Sequence, residues 1–323
     1  MNEFALIDRY FRRAPRDKSV RVGVGDDAAI VAPTPGMELA LAVDMLVEGR
    51  HFLAGTDPRR LGHKSLAVNL SDLAAMGAIP RYALLAGALP DGDEAWVAAF
   101  IAGFDALAER YDVELIGGDT TRGPRNLCVT VVGEVPTGGA LTRGGAQIGD
   151  DLYVSGTLGD AALALAALQQ RTALPSDALA LAQQKLEAPE PRVALGVRLR
   201  GIATAALDIS DGLTGDVAHM LDASRVGAQI ELAALPRSPA LAAKLDGAER
   251  VLALACLLAG GDDYELCFAA HPAARDRIAV ISAELALPLT RVGAITATSR
   301  LEVRDESGRA LAALPAAFDH FAA

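Results

Sequence analysis

With 323 residues, 51% of them hydrophobic, the chain has the material for two domains with real cores and is not a disordered segment. A formal charge of −11, with no run of Lys or Arg, argues against a nucleic-acid surface. Three unclustered cysteines (Cys128, Cys256, Cys267) make neither a disulfide framework nor a zinc site and fit a reducing cytoplasm, and no apolar run reaches the roughly 18–20 residues of a membrane span.

The opening MNEFALIDRYF has an acidic third residue and no apolar core, so no signal peptide is expected and residues 4–11 read as a short amphipathic helix. Residues 20–24, 28–31 and 39–43 read as strands; the first runs into Gly25-Asp26-Asp27 and the last delivers Asp44 at its end. Asp57 and Pro58 signal a helix start and Gly77 a stop, giving a helix of about five turns that is apolar nearly all round yet carries Asp72. Strands at 82–88 and 113–116 flank a helix at 93–111, and the second strand leads into Gly117-Gly118-Asp119. A further strand at 127–135 precedes the glycine-rich stretch Pro136 to Gly145, the best candidate linker. Domains are therefore expected over 1–137 and 148–323.

Beyond the linker, residues 151–155 read as a strand, 160–170 and 176–186 as helices. A strand at 204–207 ends in Asp208-Ile209-Ser210-Asp211-Gly212, followed by a helix at 213–223. A strand at 229–232, a helix at 250–258, Gly260-Gly261-Asp262-Asp263 and a strand at 264–269 follow. The tail holds a helix, a strand near 290–294 and a hairpin around Asp305 to Gly308. Strands and helices alternate, but the pairs are often hairpin-like, so the fold class is α+β, not a doubly wound parallel sheet.

The recurring pattern is an apolar strand giving way to Gly and Asp: Asp26 and Asp27, Asp44, Asp119, Asp208 and Asp211, Asp262 and Asp263. Any one of these is ordinary turn chemistry. Five repeats, together with a carboxylate on an apolar helix, are not. Acceptor-only side chains brought together repel one another unless cations hold them, and oxygen ligands of this kind suit Mg²⁺ completed by substrate phosphates. Familiar alternatives fail. Gly23-Val24-Gly25-Asp26-Asp27-Ala28 matches a dinucleotide fingerprint on paper but would set two carboxylates against a pyrophosphate. Gly62-His63-Lys64-Ser65 lies inside a helix and is no Walker A loop; there is no H-E-x-x-H and no G-x-S-x-G. Metal-assisted phosphoryl transfer remains, with the glycine pairs 117–118, 144–145 and 260–261 letting backbone approach a ligand.

Five motifs are longer than turn chemistry requires: Gly25-Asp26-Asp27-Ala28-Ala29, the segment from Ala67 to Gly77 (AVNLSDLAAMG), Gly117 to Thr121 (GGDTT), Leu207 to Leu213 (LDISDGL) and Gly260 to Leu266 (GGDDYEL). In this order, over nearly the whole chain, they resemble the thiamine-monophosphate kinase family. The resemblance implies the two-domain fold shared with aminoimidazole ribonucleotide synthetase, a mixed N-terminal sheet with helices on one face, and a homodimer whose N-terminal sheets join. It implies transfer of the ATP γ-phosphoryl group to thiamine phosphate with several Mg²⁺ ions. By similarity, Asp27, Asp44, Asp72, Asp119, Asp208 and Asp211 hold Mg²⁺; Gly118, Asp119, Arg143 and Ser210 contact ATP; His51, Asp262 and Phe318 line the thiamine phosphate pocket. Where the family often has Ser-Thr, this chain has Ala42-Val43, leaving only their backbone carbonyls for metal. Asp262 stands where Glu is frequent, and Phe318 where Tyr or Trp is. No side-chain base or nucleophile is expected. Two rivals stay open: another ATP-using enzyme of the same fold, and a non-catalytic Mg²⁺–nucleotide binding protein.

Overall fold

Capping residues and hydrophobic alternation set out the elements. The computed structural model describes residues 3–13 and 16–316. These divide into two units, one holding residues up to Leu73 with Ala78–Ala140, the other Ala74–Gly77 with residues from Leu141 on. The first contains α1 (Glu3–Tyr10), β1 (Val20–Val22), β2 (Ile30–Val31), β3 (Met37–Val47), α2 (Pro58–Ala75), β4 (Ile79–Leu89), α3 (Glu94–Arg110), β5 (Glu114–Arg122) and β6 (Asn126–Pro136). Four strands form a mixed sheet in the order β3-β6-β4-β5, with β4 and β5 parallel and the other pairs antiparallel.

Asp57 starts α2 as an N-cap, its Oδ1 accepting from the amides of Arg59 (2.8 Å) and Arg60 (3.1 Å). Leu66, Ala67, Leu70 and Ala74 are fully buried, as an all-round apolar helix requires. Asp93 caps α3 in the same way through Ala95 and Trp96. Side chains alternate across the sheet. Gly133 of β6 meets Leu73 of α2, so the face bearing Val129 and Val131 is the one the helix covers. The other face carries Tyr82 and Val132, which pack with Val20 and Ile116 under the β1–β2 ribbon.

The second unit contains β7 (Asp151–Ser155), α4 (Asp160–Leu168), α5 (Ser176–Glu187), α6 (Val193–Leu199), β8 (Ala203–Ile209), α7 (Leu213–Ser224), β9 (Gly227–Glu231), α8 (Pro239–Leu245), α9 (Arg250–Ala259), β10 (Glu265–Ala270), α10 (Arg275–Glu284), β11 (Leu289–Thr296) and β12 (Leu301–Arg304). Its sheet runs β12-β9-β11-β7-β10-β8, with β12 and β9 the parallel pair. β7 and β10 are buried along their whole length, and Leu152, Val154 and Cys267 pack with Leu163, Val217, Met220 and Leu257 from the helices. Among the described residues no helix is long and apolar enough to cross a membrane.

Several boundaries differ from expectation for one reason. Asp and Gly read as strand breakers, but continuous pairing carries the strands through them. β3 spans 11 residues, so Asp44 lies inside it, opposite Val129. Gly117-Gly118-Asp119 sits within β5, where pairing with β4 continues to Arg122. Asp208 likewise lies within β8, opposite Leu266 of β10. α6 and α8 are 7 residues each, too short for a helical period to stand out in sequence.

Candidate active site

In the first unit the sheet face under the β1–β2 ribbon opens into a cleft of about 640 Å³. Asp26, Asp27, Gly118 and Asp119 line it, with Ala86, Cys128 and Thr130 among the sheet residues. The register explains the grouping: Asp119 pairs with Ala86 and Ala86 with Cys128, so these side chains share one face. Gly118 has φ +155°, and a Cβ there would fall on the Leu85 carbonyl, so this close strand approach admits only glycine. The Arg12 guanidinium also lines the cleft; it packs over Gly25 and pairs with Asp8 at 3.1 Å. The cleft's only thiol, Cys128, is held above its ordinary pKa by burial and then by the Asp44 charge, which disfavours a thiolate ligand.

Asp44 is on the other face. It pairs with Val129, so its side chain points to the helix side, and its amide donates to Asn69 Oδ1 of α2 at 2.9 Å. Asn69 is fully buried, and its Nδ2 donates to the Ser65 carbonyl at 3.0 Å. Asp72, half-buried, follows Asn69 by three residues and lies on the same side of the helix. The carboxylates of this unit therefore form two groups: Asp26, Asp27 and Asp119 around the cleft, and Asp44 with Asp72 beside Asn69. Among the described residues no three His, Cys, Asp or Glu side chains form a metal-holding group. His51 follows β3; its Nδ1 accepts from the Val47 amide at 3.0 Å, which leaves the ring proton on Nε2. The buried Lys64 of α2 donates to the His51 carbonyl at 3.2 Å.

In the second unit the ends of neighbouring strands β8 and β10 bring Asp208, Ser210, Asp211 and Asp262 together. The Asp262 amide donates to the Ser210 carbonyl at 2.9 Å, and the Tyr264 amide to that of Ile209 at 2.8 Å. Asp262 (φ 68°) and Tyr264 (φ 49°) are both left-handed, and such strain in non-glycine residues persists only where surroundings enforce it. One enforcer is Asp263 between them, whose carboxylate takes the Gly159 amide at 2.9 and 3.0 Å and whose burial pushes it well above the usual carboxylate range. The loop after Asp208 is held by Asp216 of α7, whose Oδ2 accepts from the amides of Ser210 and Asp211, each at 3.0 Å. Burial pushes the Asp216 carboxyl up to about 7; those two amides oppose the shift and the charges of Asp208 and Asp211 add to it. The Arg143 backbone lies away from this group. Ser224, at the far end of the 12-residue α7, donates to its carbonyl, about 18 Å along the helix from Ser210. Phe318 lies outside the described residues.

Residues 25–135 match the AIR synthase related protein, N-terminal domain, and residues 147–306 the AIR synthase related protein, C-terminal domain. The chain is 47% identical over 298 residues to the thiamine-monophosphate kinase of Escherichia coli K12, covering 91% of this chain and 90% of that protein. It is 46% identical to that of Salmonella typhimurium, with the same coverage. The chain belongs to the thiamine-monophosphate kinase family. A solved thiamine-monophosphate kinase from Stenotrophomonas maltophilia superposes with a TM-score of 0.87 at 46% identity, covering 96% of this chain and 98% of that one. A structure of AaThiL complexed with AMPPCP and TMP gives a TM-score of 0.78 at 29% identity, covering 90% and 89%.

Sequence reasoning about this kinase family missed the residues that hold the site from behind. Asn69 lies inside a motif quoted for Asp72, and only its placement between Ser65 and Asp72 on one helix side marked it. Asp216 and Asp263 are buried acceptors for loop amides; nothing in the sequence around Asp216 separates it from a solvent-facing acid, and the Gly-Asp pattern that singled out Asp263 gave no sign of this role. Glu265 is 1% exposed and is gripped by Arg192 and by Ser155 Oγ (2.6 Å), a pairing across 73 and 110 residues that no local pattern announces.

Proposed function

We propose that the chain transfers the γ-phosphoryl group of ATP to thiamine phosphate, giving thiamine diphosphate and ADP. The observation that carries this is an open cleft with glycine backbone and carboxylate oxygen at its wall, in a chain of this kinase family. The acceptor is a phosphate monoester, largely dianionic near neutral pH, so its oxygen needs no general base. The barrier lies in bringing one anion against another, and positioning with charge neutralisation is what lowers it.

The donor set fits Mg²⁺: it is all carboxylate and carbonyl oxygen, and two small groups of carboxylates suit an ion that keeps several waters and takes phosphate oxygens as further ligands. Asp27 and Asp119 would serve in the cleft, Asp44 and Asp72 beside Asn69 with the backbone carbonyls of Ala42 and Val43, and Asp208 and Asp211 in the second unit. Bound Mg²⁺ would neutralise phosphate charge. Gly118 lets the nucleotide phosphates approach the strand backbone, Ser210 offers a hydroxyl, and Arg143 supplies fixed positive charge. His51, protonated on Nε2, presents a donor to the phosphate of the acceptor. Asp262 recognises the amino or cationic part of thiamine, and Phe318 stacks on one of its rings.

We further infer a cytoplasmic homodimer. Leu39, Leu41, Val43 and Met45 are 42–66% exposed in alternation along β3, an open edge strand that a second copy would cover. Incubation with γ-labelled ATP and thiamine phosphate tests the reaction: label in thiamine diphosphate and none on protein is expected. Labelled protein that chases into product would replace direct transfer with a covalent route.

A further inference from the structure

Two stretches assigned to different substrates are tied into one piece of backbone. The Ser210 carbonyl accepts from the Asp262 amide (2.9 Å), joining the stretch expected to meet ATP and metal to the one expected to meet thiamine phosphate. On the other side of the same segment, the Ser210 and Asp211 amides both donate to one oxygen of Asp216 (3.0 Å each). Asp216 stands in the first turn of α7 and is buried, and its own amide donates to the Gly212 carbonyl at 3.0 Å. The turn is thus closed from both ends. Gly212, at φ +112° and backed against the Ala259 backbone, admits no side chain, so the loop has no slack at its exit either.

We propose that Asp216 is a positioning residue for the phosphoryl transfer, fixing the Ser210–Asp211 peptide and, through the Ser210 carbonyl, the backbone of Asp262. This rests on the reaction proposed above and adds to it a residue that touches neither substrate. Its carboxylate acts as a hydrogen-bond acceptor with two partners. Among the described residues Asp216 is the acceptor for both amides, and movement of the loop displaces Asp211 and Asp262 together. The chemistry required is acceptance, not charge, which sets the test.

Asp216→Ala removes the acceptor, and Asp216→Asn keeps an oxygen in the same place. In Asp216→Ala, amide hydrogen exchange at Ser210 and Asp211 is expected to speed up by about 10- to 100-fold, the factor of one lost buried hydrogen bond. Its kcat is expected to fall about 100-fold with the two KM values moved far less, the cost of a misplaced rather than an absent contact. Asp216→Asn is expected to keep slow exchange and to stay within about tenfold of wild-type kcat. Should the Ala variant fail to fold, Asp216→Leu removes the acceptor without a cavity and is read the same way. Wild-type kcat in the Ala or Leu variant overturns the proposal. So does an Asn variant with slow exchange that is as inactive as Ala, because charge would then be what matters. Wild-type enzyme that does not turn over thiamine phosphate defeats the reaction itself, and the exchange arm still reports whether Asp216 holds the loop.

Discussion

Replacing Asn69 by Ala tests whether the helix side of the first sheet is built to hold Asp44. The side chain is fully buried, its Oδ1 accepts from the Asp44 amide at 2.9 Å and its Nδ2 donates to the Ser65 carbonyl at 3.0 Å. Truncation removes the bond that Asn69 accepts from the half-buried Asp44 amide, and losing one such bond costs about 0.5–1.5 kcal/mol. The same freedom lets the Asp44 carboxylate drift from Asp72, and a displacement of that order costs a transferase about 100-fold in turnover. Urea unfolding and steady-state ADP release on the same preparation are the assays. The expected result is a lower unfolding midpoint with an unchanged slope, together with the fall in kcat. A variant that unfolds at the wild-type midpoint and turns over at the wild-type rate refutes the reasoning, because Asn69 would then be holding nothing.

Asp44→Asn and Asp72→Asn are expected to lose turnover by orders of magnitude while circular dichroism stays native; near-wild-type rates at saturating Mg²⁺ would contradict the metal assignment. Phe318→Ala is expected to raise KM for thiamine phosphate and leave that for ATP alone, and an unchanged value removes Phe318 from the pocket. Leu41→Asp with Val43→Lys is expected to convert a dimer to a monomer by sedimentation; an unaltered sedimentation coefficient rejects β3 as the interface. Asp151 supplies a pH prediction. Side-chain hydrogen bonds from Arg275 (2.6 and 2.8 Å), with Arg291 adding to them, hold its carboxyl below the usual range. A depressed folded-state pKa means the unfolded chain binds more protons in the window between the two values, so this contribution is complete above the unfolded value, about 3.9, and fades as pH falls through the folded one. Arg275→Ala is expected to flatten the loss of stability as pH falls below about 4, and an unchanged slope there would mean the pair contributes nothing to acid lability.

The sequence was most readable where period and cap agree. Asp57 with Pro58, and Asp93, marked the starts of α2 and α3 because capping is local chemistry, and β7 was legible from its apolar centre, Leu152-Tyr153-Val154. It was least readable where partners decide. Asp44, Asp119 and Asp208 ended strands on paper, but β6, β4 and β10 pair straight through them. The same pairing decides which way a carboxylate points. A count of strand-end acids could not tell that Asp44 faces the helices while Asp119 faces the cleft, since that rests on register between strands far apart in the chain. Asp216 was invisible, and Asp263, though part of the Gly-Asp pattern, could not be told from a ligand, for a related reason: what makes them matter is burial against loop amides, and an Asp in sequence carries no sign of what it will be buried against.

The central claim is that this arrangement moves a phosphoryl group onto an existing phosphate. Steady-state ADP release with Mg²⁺–ATP, comparing thiamine phosphate with free thiamine as acceptor, tests it most directly. The account predicts ADP formed stoichiometrically with thiamine diphosphate when thiamine phosphate is present, and background release with thiamine. Equal release with both acceptors, or nucleotide binding with no thiamine phosphate-dependent ADP, would contradict it.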